Sequence, residues 1–171
     1  MTGRVVEWEG KYIRLVRDGT WEFVERCGGV HAVVILAEHD GKVVLVEQPR
    51  VPLGNRKCIE LPAGLVGDED PDATVEDTAI KELEEETGFT ASRIEVLGEF
   101  FSSPGMVAEG FTLVRAHDLR RIGDGGGNEH EAIEVHLVPR SEIASFVERK
   151  RAEGCVIDVK MLLLLAADIL D

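Results

Sequence analysis

The sequence is poor in cysteine and in long apolar runs. Its 171 residues include three cysteines, Cys27, Cys58 and Cys155, which are scattered and show no paired metal-type spacing. This usage argues against a disulfide framework and predicts reduced thiols in a cytoplasmic protein. The longest apolar run, residues 161–167, is too short to cross a bilayer. The first 11 residues already carry four charged side chains, so we expect neither a signal peptide nor a membrane partner.

Positive charge is also scarce. The chain has 19 Lys and Arg residues against 33 Asp and Glu residues, which gives a net charge of −14. Duplex nucleic acid is bound by clustered Lys and Arg, so we expect no nucleic-acid partner. A small phosphate-containing substrate is still possible, because metal ions can offset the negative charge of both the protein and the phosphate. No internal repeat is found, and a hydrophobic content of 44% is enough for one domain with its own core.

The apolar pattern predicts a mixed sheet flanked by helices, that is, an α/β fold of the α+β type. A β-hairpin is expected around the turn at residues 18–20, as an N-terminal appendage. Further strands are expected at residues 30–37, 42–46, 58–61, 94–101, 111–116 and 133–138. Residues 48–50 should leave the sheet, and the glycine-rich residues 124–128 should form a mobile loop. Ser141 and Asp158 are expected to cap the last two helices.

A helix crowded with glutamates is the most informative stretch. It should begin near Thr74, with Asp72 as the other candidate cap, and end at Gly88. At about 100° per residue, three of its glutamates fall within one arc and Glu84 points elsewhere. These three are Glu82, Glu85 and Glu86. Such carboxylates can converge on Mg²⁺, which prefers oxygen ligands, but a solvated acidic face explains the same pattern. Lys81, one turn before Glu85, can orient that carboxylate.

Residues 81–89, with the sequence KELEEETGF, resemble the box that defines the Nudix hydrolases. That box reads Gly, five residues, Glu, seven residues, Arg-Glu-apolar-any-Glu-Glu-any-Gly-apolar. Lys81 replaces the arginine, and Gly64 precedes it by 17 positions, whereas the family has fourteen. The first glutamate of the box therefore has no unique counterpart, and either Glu69 or Asp70 could replace it. The preceding residues 61–64, LPAG, are typical of the branch that cleaves ADP-ribose and related nucleoside diphosphate sugars.

The likeness extends beyond the box. Residues 44–50 resemble the segment in which an arginine, here Arg50, often meets substrate in ADP-ribose pyrophosphatases; a solvated loop arginine is the alternative. Pro104 follows Gly88 by 16 residues, similar to the proline that distinguishes this subfamily. The substrate loop implied by the resemblance contains Pro104, Gly105, Met106 and Glu109. Residues 129–135 resemble the acidic loop that supplies a general base.

The resemblance implies a Nudix-type α/β/α sandwich that hydrolyses the diphosphate bond of ADP-ribose or a related nucleoside diphosphate sugar. Mg²⁺, or Mn²⁺, would be the cofactor. Its ligands would be Glu82, Glu85, Glu86 and the carbonyl of Ala63. Glu131, or alternatively Glu129, would accept the proton of the attacking water, with Glu86 and Lys81 completing the catalytic set. A dinucleotide substrate, a non-catalytic nucleotide sensor and a structural acidic protein are the rival interpretations.

Related enzymes are commonly homodimers in which N-terminal strands help to bind the base. We therefore divide the chain into residues 1–28, an N-terminal strand extension expected to dimerise, and residues 29–171, the Nudix domain. Trp21 and Arg26 are the candidates for base binding. For Trp21, edge packing or a subunit interface is the simpler account, because aromatic side chains serve all these ends.

Overall fold

The computed structural model describes residues 3–128 and 132–165. The strands in these ranges are β1 (Val5–Glu9), β2 (Ile13–Asp18), β3 (Trp21–Arg26), β4 (His31–His39), β5 (Lys42–Arg50), β6 (Arg56–Glu60), β7 (Ala63–Val66), β8 (Phe89–Thr90), β9 (Arg93–Phe101), β10 (Gly110–His117), β11 (Arg120–Arg121), β12 (Glu134–Pro139) and β13 (Val156–Ile157). The α-helices are α1 (Val75–Thr87) and α2 (Ile143–Ala152), and short 3-10 helices cover Val51–Leu53, Arg140–Glu142 and Val159–Leu165. No helix in the described ranges is long and apolar enough to span a membrane.

The N-terminal strands form a separate antiparallel sheet in the order β1-β2-β3. The predicted hairpin is confirmed, with Asp18 paired to Trp21 and Gly19 in the turn at a φ of 61°. Strand β1 was not expected. The free edge of β3 joins the loop before β10, because Val24 donates to the carbonyl of Met106 at 2.9 Å and accepts from Ala108 at 2.8 Å. The small sheet is thus tied to the rest of the same chain.

The main sheet is mixed, and it splits where the chain crosses it between β6 and β7. Its strand order is β13-β6-β5-β4-β10-β9, with β12 paired to β5 and β7 paired to β4. Strand β4 runs parallel to β10 but pairs with β5 only at its last residues. Pro62 fills the gap by accepting a hydrogen bond from the Ile35 amide at 2.9 Å. The chain therefore passes from β6 to β7 through the split, which brings residues 63–64 beneath α1.

A helical layer covers each face of this sheet. Strand β5 shows the division, because alternate side chains of a strand point to opposite faces. Val44 packs with Ala79 and Leu83 of α1. Val43 and Leu45 pack with Phe146 of α2 and with the C-terminal 3-10 helix. These two cores confirm the expected α/β/α sandwich.

Three local expectations differ from the structure. Residues 48–50 do not leave the sheet but remain in β5, paired with β6. Pro49 is tolerated there because β12 stops pairing at Glu47, so the prolyl nitrogen lies on an edge. Ser141 lies inside a 3-10 turn and makes no cap for α2. Asp158 does accept a hydrogen bond from the Lys160 amide at 2.7 Å, although the segment it starts is a 3-10 helix as far as Leu165.

Candidate active site

Helix α1 has well-defined ends and one packed face. Thr74 is its N-cap and accepts a hydrogen bond from the Asp77 amide at 3.1 Å. Gly88 ends the helix in the left-handed conformation, with φ 73°, and donates its N–H to the carbonyl of Glu84. Ala79 and Leu83 are fully buried. Because this apolar stripe is fixed on the sheet, the neighbouring arc of the helix has a fixed orientation as well.

The three glutamates of that neighbouring arc line one cavity of about 570 Å³. Glu85 is exposed, Glu82 is half-buried, and Glu86 retains only 5% of its accessible surface. A buried carboxylate is costly unless it is hydrogen-bonded or paired. Glu86 meets this condition through its Oε2 atom, which accepts from the amide of Ala63 at 3.1 Å. The segment in the sheet split therefore holds the most buried carboxylate of the helix.

Gly64 lies directly against the first glutamate. A Cβ atom at this position would lie 2.1 Å from Cγ and 2.2 Å from Cδ of Glu82. No side chain larger than hydrogen fits there without displacing Glu82. The position of the Glu82 side chain therefore depends on a glycine at position 64.

Lys81 joins the helix to the acidic loop of residues 68–72, which precedes the helix. Its ammonium group lies 3.2 Å from Glu85 and 2.9 Å from Glu69. The hydrogen bond to Glu69, followed by that to Glu85, raises the pKa of Lys81 above its ordinary value. Both candidates for the first box glutamate, Glu69 and Asp70, line the cavity. Only Glu69 of the two is paired with Lys81 among the ion pairs of the described residues.

The donor set suits a hard divalent cation. Three carboxylates and the backbone at Ala63 converge on one cavity, and carboxylate and carbonyl oxygens are the ligands that Mg²⁺ and Mn²⁺ take in proteins. The hydrogen bond from Ala63 fixes the Glu86 carboxylate before any ion arrives, and the absence of a side chain at Gly64 leaves the space that Glu82 occupies. Such preorganisation favours binding over a solvated acidic face.

A second cavity, of about 260 Å³, adjoins the first and shares Arg50, Ala63, Gly64 and Leu65 with it. Cationic and anionic side chains surround it. Arg50 forms a two-pronged ion pair with the buried Glu60, and its Nε lies 2.7 Å from Glu60 Oε1. Arg26 pairs with Glu109. Both arginines and Glu109 thus reach the same space, next to the carboxylates of α1.

The remaining predicted residues lie in different places. Pro104, Gly105 and Met106 form an exposed loop that contacts β3 through the Met106 carbonyl. Trp21 is 63% exposed on the N-terminal sheet, outside the second cavity. Glu129 and Glu131 lie outside the described residues. The glycine-rich segment before them has no regular structure, as expected, and Asp124 is exposed, but the amides of Gly126 and Gly127 bond to the last turn of α1.

Two lining residues of the second cavity had no role predicted for them. Glu60 is a charged residue inside an apolar run, and only 3% of its surface is exposed. That pattern alone signals a buried ion pair. Lys160 lines the cavity from the C-terminal 3-10 helix and pairs with Asp158 at 2.6 Å. Nothing in the local sequence marks Lys160, because its position depends on the packing of a distant segment.

A further cluster of metal-type ligands lies on the opposite face of the sheet. Ligand atoms of Glu47, Glu134 and His136 fall within 4.8 Å of one another. However, Lys57 and Lys150 already contact the Glu47 carboxylate at 2.6 and 2.7 Å. A divalent ion would have to displace these ammonium groups, so the α1 cavity is the better cation site.

Comparison with known proteins agrees with this geometry. The model of the NUDIX domain family matches residues 28–157. A GDP-mannose pyrophosphatase of Klebsiella pneumoniae subsp. pneumoniae is 35% identical over 172 aligned positions, covering 96% of this chain and 80% of the relative. An ADP-ribose pyrophosphatase of Bacillus subtilis is 38% identical over 131 positions, covering 75% of this chain and 67% of the relative.

A crystal structure of an ADP compounds hydrolase has the same fold, with a TM-score of 0.65. It covers 89% of this chain and 92% of that one, at 19% sequence identity. The extent of the family match and the carboxylates of α1 lead to one conclusion: this chain belongs to the Nudix hydrolase family.

Proposed function

We propose that this enzyme hydrolyses the diphosphate bond of ADP-ribose or a related nucleoside diphosphate sugar, giving AMP, or another nucleoside monophosphate, and a sugar phosphate. The observation that carries the proposal is the junction of two cavities. The carboxylates of α1 line the first, and Arg26, Arg50 and Lys160 reach the second. A diphosphate bound to metal at the first would extend its nucleoside or sugar towards the second.

Glu82, Glu85, Glu86 and the carbonyl of Ala63 would hold Mg²⁺ or Mn²⁺. Divalent metal bound there would offset the charge of the diphosphate and lower the pKa of a coordinated water. The amide of Ala63 keeps Glu86 in place, while Lys81 holds Glu85 and the acidic loop together. Arg50, shared by both cavities, would approach a phosphate oxygen with the guanidinium N–H groups that its ion pair with Glu60 leaves available.

The proton of the attacking water goes to a general base, for which Glu131 is our first candidate and Glu129 the alternative. Both follow Asn128, which lines the cavity of the α1 carboxylates. As the water oxygen bonds to phosphorus, the bond to the bridging oxygen breaks and the base accepts the proton. A large loss of turnover in Glu129→Gln, with none in Glu131→Gln, would reverse this assignment.

Substrate choice is tested by a product-resolved screen of nucleoside diphosphate derivatives with Mg²⁺ and with Mn²⁺. We expect ADP-ribose or a nucleoside diphosphate sugar such as GDP-mannose to be cleaved at the diphosphate. Glu86→Gln should lower kcat by roughly a hundredfold or more at saturating metal. Saturable nucleotide binding with no phosphate-containing product over long incubation would instead identify a sensor. Near-wild-type turnover of Glu86→Gln would refute the metal assignment.

We further propose that residues 1–28 mediate a homodimer. Several large apolar side chains of β1 to β3 are at least one-third exposed, and apolar side chains concentrated on one small sheet are what a subunit interface would bury. They are Val5, Val6, Trp8, Ile13, Leu15 and Trp21. Multi-angle light scattering at micromolar concentration should give twice the chain mass of 18.8 kDa. A strict monomer would exclude a shared site and leave Trp21 without a role in base binding.

A further inference from the structure

Two of the three proposed metal ligands lie at the end of α1 that is harder to hold in place. Glu85 and Glu86 occupy the last turn of the helix, which ends at Thr87. The last four carbonyls of a helix have no partner within the helix. Carboxylates near this end are also disfavoured by the helix dipole, and no basic residue occurs in the last turn of α1. Hydrogen-bond donors from outside the helix would therefore stabilise this turn.

The glycine-rich segment of residues 123–127 provides the missing donors. The amide of Gly126 donates to the carbonyl of Glu86 at 2.9 Å, and the amide of Gly127 donates to that of Glu85 at 3.0 Å. Gly123 in turn donates to the carbonyl of Gly88 at 3.1 Å. The backbones of both proposed ligands are thus bonded to a loop that is remote in sequence.

This contact leaves no space for a side chain at Gly125. A Cβ atom there would lie 2.4 Å from the carbonyl carbon of Thr87 and 2.7 Å from the carbonyl oxygen of Glu86. Both are backbone atoms, which cannot rotate away as a flexible side chain can. The φ angle of Gly125 is also positive, at 71°, a conformation that other residues adopt only at a cost. An alanine would have to push the loop away from the helix.

The loop also reaches the metal cavity. Asn128, the next residue after the two donors, lines the cavity of the α1 carboxylates. The Ile133 amide returns to the carbonyl of Gly126 at 3.4 Å, directly before β12. Gly126 is therefore bonded on one side to α1 and on the other to the segment that re-enters the sheet.

We propose that Gly125 is a positioning residue of the metal site. By lacking a side chain, it lets residues 125–127 lie against the last turn of α1 and hold Glu85 and Glu86 in the geometry that a divalent cation requires. This inference rests on the proposed function, because it assumes that these glutamates are the ligands. It goes beyond that function by assigning part of the metal affinity to backbone contacts from a loop outside the box.

The test compares alanine substitutions at glycines that share a positive φ but differ in their surroundings. Gly125→Ala introduces the clash with α1. Gly154→Ala is the matched control, since Gly154 has a φ of 92°, follows the C-cap of α2 and has open space around its Cβ position. For each protein we would measure Mn²⁺ binding without substrate by electron paramagnetic resonance, then kcat, KM and urea unfolding.

Both variants should lose stability, because each places alanine in a strained conformation. Only Gly125→Ala should raise the Mn²⁺ dissociation constant, by about 10- to 100-fold, the range for groups that orient metal ligands. Its kcat should fall more than its KM rises, and Gly154→Ala should match the wild type in both. A Mn²⁺ dissociation constant of Gly125→Ala equal to that of Gly154→Ala would overturn the proposal.

A second variant guards against a misfolded Gly125→Ala. Gly126 has a φ of 110°, and its Cβ position lies 3.8 Å from the nearest atom, the carbonyl oxygen of Ile133. Gly126→Ala should therefore fold. Because alanine is strained at this φ and the Gly126 amide donates to the carbonyl of Glu86, the variant should weaken Mn²⁺ binding to a smaller extent; unchanged binding would count against the inference. If Glu86→Gln binds Mn²⁺ as well as the wild type does, the proposed metal site itself fails. If instead Glu86→Gln loses Mn²⁺ binding and the glycine variants bind Mn²⁺ normally, the metal site stands and only the role of Gly125 is refuted.

Discussion

Glu47 shows how one buried charge can be stabilised away from the active site. Only 2% of its surface is exposed, on the face of β5 that points towards α2. Burial alone would raise its pKa, but hydrogen bonds from Lys150, Lys57 and His136 outweigh burial and lower the pKa to about 2. Since the carboxylate is ionised far below its ordinary pKa, it should contribute to folding at neutral pH.

Acid unfolding tests this contribution. The folded pKa of Glu47, about 2, lies below its ordinary value of 4.5, so the unfolded state binds more protons between these values. The stabilisation is therefore complete above pH 4.5 and is lost as the pH falls towards 2. A shift of this size corresponds to about 3 kcal/mol in the free energy of unfolding. We expect Glu47→Gln to lose that amount at pH 7 in urea titrations and to show a weaker decline between pH 4.5 and 2.

Glu134→Gln is the control for this experiment. Glu134 belongs to the same cluster, but its side chain is 58% exposed, and exposed ion pairs contribute little. Its acid unfolding should follow that of the wild type. Equal acid sensitivity of the wild type and Glu47→Gln would mean that the two lysines do not stabilise the carboxylate.

At the level of the element, the N-terminus of α1 is held by a cap, and its C-terminus carries the proposed metal ligands. Thr74 accepts from the Asp77 amide at the first end, while the glycine loop contacts the other. Thr74→Ala removes the cap and should cost about 1 kcal/mol of stability. Because Thr74 lies three turns from Glu85, kcat and the metal dependence should stay unchanged. Urea unfolding and steady-state kinetics measure the two effects, with Thr74→Ser as the conservative control; a loss of turnover in Thr74→Ala would contradict this division.

The elements with strong local signals were predictable from the sequence. Helix α1 could be placed because its apolar residues repeat every three to four positions and because Thr74 and Gly88 are good caps. The hairpin turn at Gly19 was predictable as well, since its positive φ angle favours glycine. The arc of three glutamates also followed from helix geometry alone.

Features that depend on distant pairing could not be predicted. Strand β7 exists because the split in the sheet exposes the edge of β4 to residues 63–66. Residues 48–50 stay in β5 because β6 pairs with them, although Pro49 suggests a break. The docking of residues 125–127 requires the end of α1 to be opposite them. Each depends on a partner that is far away in sequence, which local propensity does not encode.

At the level of the whole molecule, the dominant property is negative charge. The net charge of −14 makes the compact state repel itself, and the repulsion is concentrated where the α1 carboxylates and the acidic loop line one cavity. A cation bound in this cavity would reduce the local repulsion more than dissolved salt does, because salt screens all charges of the protein alike. The proposed metal site therefore predicts that metal binding and folding are coupled.

This coupling predicts a metal-dependent melting temperature. A ligand present at 100 times its dissociation constant and bound only to the folded state stabilises by about 2.7 kcal/mol. For a chain of this size, Mg²⁺ or Mn²⁺ should then raise Tm by roughly 5–10 °C. The measurement is differential scanning calorimetry at constant ionic strength, with sodium replacing the divalent salt.

Glu86→Gln should lose most of this rise in Tm, because it removes the buried carboxylate of the proposed site. Glu76→Gln, an exposed carboxylate in the first turn of the same helix, should keep it. Equal rises in both variants would mean that the cations act by general screening of an acidic protein and not at the α1 site.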